Sequence, residues 1–342
     1  MLIPVNDPCP GHKGFRNMSN ALKDIQLQNA ADQSGQSLVL TPLEDLKGFL
    51  IHHLGKFLLF FITCSSVLAV FLIFFFVIRE SIPFIASRNI TDFFTSTSWY
   101  PEQEPAEFGS LPIIAGSFYV TIVALIFAVP IGILAAVFLS DIVSYRIREF
   151  VKPVIEILAA IPSVAYGFFA VLILAPWLQN KFGFTTGTNA LNSSIILAVM
   201  ALPTIISVAE DSISTVGREM RQASYGLGAT RFETIFRVVL PSAHSGIIAA
   251  VILGMMRAIG ETMVVWMASG NAAQIPSPWW DLSQSVRTMT ASIAGEMGET
   301  VKGSAHYHSL FTIGVVLLIL TFTFNIISEY FLVSAKKKLG KV

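Results

Sequence analysis

Residues 57–78 read FLLFFITCSSVLAVFLIFFFVI, 22 positions without one charged side chain. A helix rising about 1.5 Å per residue crosses roughly 30 Å of hydrocarbon in about 20 residues, so this stretch can span a bilayer. Outward from it, uncharged stretches recur at 111–139, 157–178, 191–209 and 309–328. A sixth, 246–268, is interrupted only by Arg257 and Glu261. Lipid offers no partner to an open backbone, so each span must be a helix or belong to a closed barrel. Strand-length alternation is absent from all six, and the expectation is an all-α, polytopic membrane protein with six transmembrane helices. Composition agrees: 342 residues that are 54% hydrophobic and 13% charged carry more apolar surface than a soluble domain hides.

Lys+Arg and Asp+Glu are equal at 22 each, so net charge points to no nucleic-acid partner. The distribution says more. Segments 1–56, 140–152, 211–246 and 334–342 together carry 16 basic residues, whereas 79–110, 179–190 and 269–308 carry 5. The positive-inside rule then places both termini in the cytoplasm. Trp99, Tyr100, Trp177, Trp279 and Trp280 fall in or beside the outer segments, where interfacial anchors belong. The chain divides into a polar cytoplasmic tail (1–56), a membrane domain (57–334) and a basic end (335–342). The first 56 residues lack the early apolar core of a cleavable signal peptide. Thr41-Pro42-Leu43-Glu44 suits a helix start, and Leu43, Leu46, Leu50 and Leu54 share a face. Residues 42–56 therefore either lie flat on the membrane or extend the first span. Cys9 and Cys64 form no evident disulfide pair, and His306 and His308, with Tyr307 between them, lack a third ligand, so no metal site is expected.

The longest internal connection, 211–246, contains Gln222-Ala223-Ser224, Gly228 and Val238-Val239-Leu240-Pro241. Ala223, Gly226, Gly228 and Ala229 leave the backbone near the surface, where another protein can approach closely. Thr230-Arg231-Phe232-Glu233 reads as a capping box that opens a short helix after the glycine bend. Pro241 is expected to end that helix and turn the chain back to the membrane. An ordinary amphipathic surface loop is the plain alternative. The spacing, however, resembles the cytoplasmic signature of ATP-binding-cassette (ABC) importer permeases: Glu-Ala-Ala, three residues, Gly, nine residues, Ile-x-Leu-Pro. The resemblance implies a type I importer permease fold and assigns Gln222, Ala223, Ser224, Gly228, Leu240 and Pro241 to contact with a separate ATPase subunit. Nothing in this chain suits ATP hydrolysis. Gly48…Gly55-Lys56-Phe57 has the wrong spacing for a phosphate loop and no Ser or Thr after the lysine. No cofactor is expected on the chain itself, ATP being used by the partner.

Arg257 and Glu261, at i and i+4, share a helix face if 246–268 is one helix. An ionised group at mid-bilayer costs at least about 2.5–3.5 kcal/mol, so the two are expected to face the bundle interior. There they either neutralise one another or line a path, the planar guanidinium suiting an oxyanion. Pro130, Pro162 and Pro203 lie within spans and permit kinks, with hydroxyls of Ser163, Tyr166, Thr204 and Ser207 nearby. Such hydroxyls also bond their own backbone, so contact with cargo is one of two roles. Phe108-Gly109-Ser110-Leu111-Pro112, Ala128 to Gly132, Ile161 to Gly167, Leu202 to Ile206 and Arg257 to Thr262 are similar to the permeases of the high-affinity phosphate importer, the C-type more than its A-type sister. That similarity covers about residues 108–333. It implies a path lined by Arg257, Glu261, Thr262, Ser163, Tyr166 and Thr204. It also implies three partners: a second related permease, a homodimeric ATPase and an external phosphate-binding protein. The implied site of action is the bacterial inner membrane. Charge logic alone leaves sulfate, molybdate or another oxyanion open. A secondary transporter or channel and a membrane sensor are the alternatives from other classes.

Overall fold

A computed structural model describes residues 42–338; the polar tail before residue 42 and the last four residues lie outside the described part. Six helices in it are long and apolar enough to cross a membrane: His52–Ser87, Leu111–Ile142, Ser163–Phe182, Ala190–Ser214, Arg231–Ile259 and Ala305–Val333. The chain divides between Leu72 and Ile73 into two compact units. One helix, α1 (Pro42–Ser87), carries residues 42–56 into the first span without a break. Within the first unit, side chains from His52 to Leu72 are exposed apart from Gly55. That is a surface for lipid or protein rather than for water.

In the second unit, a short helix α2 (Ile90–Thr95) leads to a two-residue hairpin, β1 (Trp99–Tyr100) against β2 (Glu107–Phe108), with Trp99 opposite Phe108. Then come α3 (Leu111–Val137), α4 (Tyr145–Ala160), α5 (Ser163–Phe169) and α6 (Ala175–Phe182). The chain continues through α7 (Ala190–Ser214), α8 (Arg218–Gly226), α9 (Arg231–Thr234) and α10 (Leu240–Ile259), and closes with α11 (Met263–Ala268), α12 (Met289–Glu296) and α13 (Ala305–Lys338). Three π-helical turns, Phe138–Ile142, Ala170–Leu174 and Ile235–Val239, are inserted where α3, α5 and α9 run on.

The core is made by α3, α7 and α10. Lipid tails are as apolar as leucine, so close packing, not transfer from water, holds such helices together. Ile205 of α7 sits between two glycines. A Cβ on Gly132 of α3 would come within 2.7 Å of its side chain, and one on Gly254 of α10 within 2.5 Å. Buried alanines, Ala124, Ala128, Ala198 and Ala201, add small contacts to the same core. Polar glue supplements them. Buried Asn192 donates to the carbonyls of Gly187 (2.9 Å) and Ala170 (3.1 Å), and Ala170 opens a π turn, where helical pairing is displaced.

Three boundaries differ from the sequence expectations. The stretch 157–178 is not one span, because Pro162 forces the residue before it out of the helical region. Ile161 is extended (ψ 128°), α4 stops at Ala160, and the membrane helix begins at Ser163. Pro162 is thus a break between helices, whereas Pro130 and Pro203 lie inside α3 and α7. Nor does 246–268 form one helix: α10 ends at Ile259, Gly260 to Thr262 interrupt, and α11 resumes at Met263. Pro241, finally, ends nothing. Helix runs through it, and the π turn Ile235–Val239 just ahead accommodates its missing N–H. Trp99 is also no interfacial anchor. It is 3% exposed, packs against Phe108, and gives its indole N–H to Glu296.

Candidate functional site

The candidate residues fall into two groups, one at the helix breaks and one at the far end of α7. At the breaks, α4 presents its last carbonyls, which no further helical turn satisfies. The Tyr166 hydroxyl donates to Leu158 O at 3.0 Å, and Arg257 Nη2 donates to Ala159 O at 3.3 Å. A guanidinium at a helix C-terminus also meets the negative end of the helix dipole. That is the one hydrogen bond Arg257 makes among the described residues, although the group has five N–H donors. Its Nε is buried and unpartnered.

Of the two roles open to Arg257 and Glu261, the ion pair is not formed. With α10 ending at Ile259, Glu261 lies beyond the helix, and i,i+4 geometry no longer applies. Its carbonyl instead receives the Thr290 hydroxyl at 2.7 Å, which ties the break to α12. Thr262 stands just ahead of α11, with its carbonyl accepting from Trp266 N at 2.9 Å. Ser163 opens α5, one turn before Tyr166, and is half-buried. Thr204 is half-buried beside Ile205, near Pro203. Arg257, Tyr166 and the end of α4 are therefore brought together, while no hydrogen bond joins Glu261, Thr262 or Thr204 to them.

At the other end, α8 and α9 are joined by a tight bend. Gly228 has φ +83°, a conformation that side chains disfavour, with nothing within 4 Å of where a Cβ would stand. Its own fold thus needs the glycine for backbone geometry, not for room. Thr230 and Glu233 form the anticipated capping box. Ser224 is buried, its hydroxyl 2.9 Å from that of Thr234, so this member of the motif braces the bend from inside. Gln222, Ala223 and Gly228 are exposed, as is Pro241, while Leu240 is half-buried. Around them stands an apolar crest: Leu227 is 90% exposed, Phe232 69% and Phe236 46%.

Sequence reasoning missed the ion pairs behind this crest. Asp141, in the π turn after α3, pairs with Arg221, and its carbonyl accepts from Arg231. Buried Glu210 pairs with Arg148 and, at 3.1 Å, with Lys152, which also reaches Asp211 at 3.0 Å. The Asp211 hydrogen bond, chiefly, raises the Lys152 ammonium above its ordinary range, with Glu210 adding to it and burial opposing. One local signal was available: two acids end the uncharged stretch 191–209, and three cations punctuate 146–152.

A family model described as the binding-protein-dependent transport system inner membrane component matches residues 128–337. The chain belongs to that family, the ABC permeases. A probable ABC transporter permease, YqgH of Bacillus subtilis, is 38% identical over 247 residues, covering 72% of this chain and 78% of its own length. The phosphate transport system permease protein PstC of Mesorhizobium japonicum is 35% identical over 267 residues, covering 72% and 80%. A chain from a bacterial alginate ABC transporter, solved with its periplasmic protein, superposes with TM-score 0.54 at 14% identity, over 82% of this permease and 96% of that chain. At that identity the likeness is one of fold. The permease is accordingly a multi-pass membrane protein with the type I importer architecture.

Proposed function

We propose that this permease is a membrane-spanning subunit, of the C type, of an importer that moves inorganic phosphate into the cytoplasm by alternating access. A second related permease, a homodimeric ATPase and an external phosphate-binding protein complete it in the bacterial inner membrane. Both termini lie in the cytoplasm, on the side of the Gly228 bend. The exposed crest of Leu227, Phe232 and Phe236 meets the ATPase. The observation that carries the cargo assignment is the Arg257 guanidinium, placed where α4, α5 and α10 break and left with a buried, unpartnered Nε. A fixed positive fork with donors to spare suits a tetrahedral oxyanion, and the 35% identity to PstC of M. japonicum favours phosphate among oxyanions. The carbonyl of Ala159 then acts as a place-holder that an arriving anion displaces.

The test is uptake of radiolabelled phosphate, with the partner subunits, at matched membrane abundance. Charge-assisted hydrogen bonds are worth about 1.5–3 kcal/mol, so Arg257→Gln is expected to lower uptake roughly ten- to hundredfold. Arg257→Lys is impaired too, because a point charge on a flexible stem does not reproduce the fork. With no ion pair to balance, adding Glu261→Gln to Arg257→Gln restores nothing. Near-normal uptake by the double variant would reduce Arg257 to a structural residue, and competition by sulfate or molybdate as strong as by phosphate would change the cargo.

A further inference from the structure

Glu210 is 1% exposed, near the end of α7, and neither the Arg257 group nor the exposed crest uses it. Both cations on its carboxylate come from one helix: Arg148 takes Oε1 and Lys152 takes Oε2, all on α4. A buried carboxylate is tolerable only when partners replace its water, so this pairing holds α4 in register against α7. From Lys152 the same helix runs about 10 Å to Ala159, whose carbonyl sits on the Arg257 guanidinium. Leu158, one residue earlier, takes the Tyr166 hydroxyl. Just before the first turn of α4, Asp141 is held by Arg221 and Arg231, which belong to α8 and α9. Helix α4 is therefore held at two places, by the Glu210 carboxylate near its start and by Arg257 and Tyr166 at its end. The bend holds the π turn that precedes α4 in the chain, not α4 itself.

We infer that Glu210 is a positioning residue for transport. By clamping α4 on α7 it sets where the α4 terminus stands against Arg257. This rests on the function proposed above, in which Arg257 meets the anion. It adds a residue that touches neither the anion nor the ATPase.

Complexes carrying Glu210→Gln or Glu210→Asp are reconstituted with the partner subunits in proteoliposomes. Two quantities are read: ATP hydrolysed per phosphate imported, and hydrogen–deuterium exchange along α4. Glu210→Gln is expected to raise the ratio at least about fivefold, the lower bound of ordinary site-to-site coupling. Exchange should quicken at the far end, 155–160, and in 255–262, with Glu210→Asp returning both towards wild type. Lys152→Met, which leaves Arg148 on the carboxylate, gives a smaller shift of the same kind and serves if Glu210→Gln does not assemble. A residue that only packs would lower uptake and hydrolysis in parallel, leaving the ratio unchanged and exchange altered only near 207–212. That pattern overturns the inference. If wild type imports no phosphate, the function proposed above fails, while the exchange measurement still decides whether Glu210 governs the α4 terminus.

Discussion

Two carboxylates, Glu210 and Glu296, hold opposite ends of the bundle, and they do so differently. Glu210 draws both its cations from α4. Glu296, at the end of α12, gathers Arg287, the His306 ring at 2.8 Å and the Trp99 indole at 3.1 Å, from three separate segments. Arg287 in turn donates through Nε to Asn271 O at 2.8 Å, and its carbonyl would lie 2.2 Å from a Cβ on Gly116 of α3. A carboxylate bonded to one helix ties that helix to its own, and the two can move together as one body. One bonded to three segments cannot release any of them without losing the others. The Glu296 end is a knot, and the Glu210 end is a bearing.

The largest effect expected from testing this contrast lies at the bearing. Gly228→Val puts a β-branched residue at φ +83°, where such side chains are genuine outliers. The bend that presents the crest should distort, and uptake should fall by roughly tenfold or more, in line with a strain of about 1–2 kcal/mol acting on the docking surface. Membrane insertion should be unchanged, since no span is altered. Gly228→Asn, whose short polar side chain tolerates that conformation, should keep much of the activity. Full transport by the valine variant, with the ATPase still bound, would remove the bend from the coupling path.

A smaller effect belongs to the knot. Glu296→Gln leaves Arg287 without its charged partner and should cost about 1–3 kcal/mol of stability, read as a lower Tm of the purified complex. The molecules that remain folded should transport with an unchanged ratio of ATP to cargo. If that ratio shifts instead, while Glu210→Gln leaves it alone, the two ends have been assigned the wrong way round.

The smallest effect on activity, and the one that orients the contrast, is labelling. With Cys9 and Cys64 replaced by Ser, Gln103→Cys and Lys302→Cys, both exposed near the knot, should react with an impermeant reagent added to intact cells. Leu227→Cys on the crest should react only after permeabilisation. Labelling of the crest from outside would invert the topology argued from the 16 to 5 division of basic residues.

Much of this molecule was legible from local pattern, because the signals concerned are local. Five charge-free runs of helical length and a sixth broken only by Arg257 and Glu261 marked six spans, and Thr230 and Glu233 announced a cap that forms as written. The spacing from Gln222 to Pro241 marked the family before any fold was known. What misled were residues whose effect depends on their surroundings. Trp99 looked like an interfacial anchor until Glu296, 197 positions away, supplied a partner for its N–H. Arg257 and Glu261 looked like a pair because four residues is one helical turn, and only the break after Ile259 separates them.

The sequence by itself determined that the chain crosses the membrane six times, that the Gly228 bend lies on the side of the basic residues, and that no phosphate loop accompanies it. Those properties depend on hydropathy, charge and spacing over about 20 residues, which any reader of the chain can count. Tertiary structure alone decided that the helix 145–160, which Pro162 ends locally, is braced between Glu210 and Arg257. Arg148 and Glu210 are 62 positions apart, and Arg257 and Ala159 are 98 apart. Nothing in the local chemistry of an arginine names which distant carboxylate or carbonyl it will meet. That choice is made by how distant helices pack, as where α3, α7 and α10 close around Ile205 because two glycines let them approach.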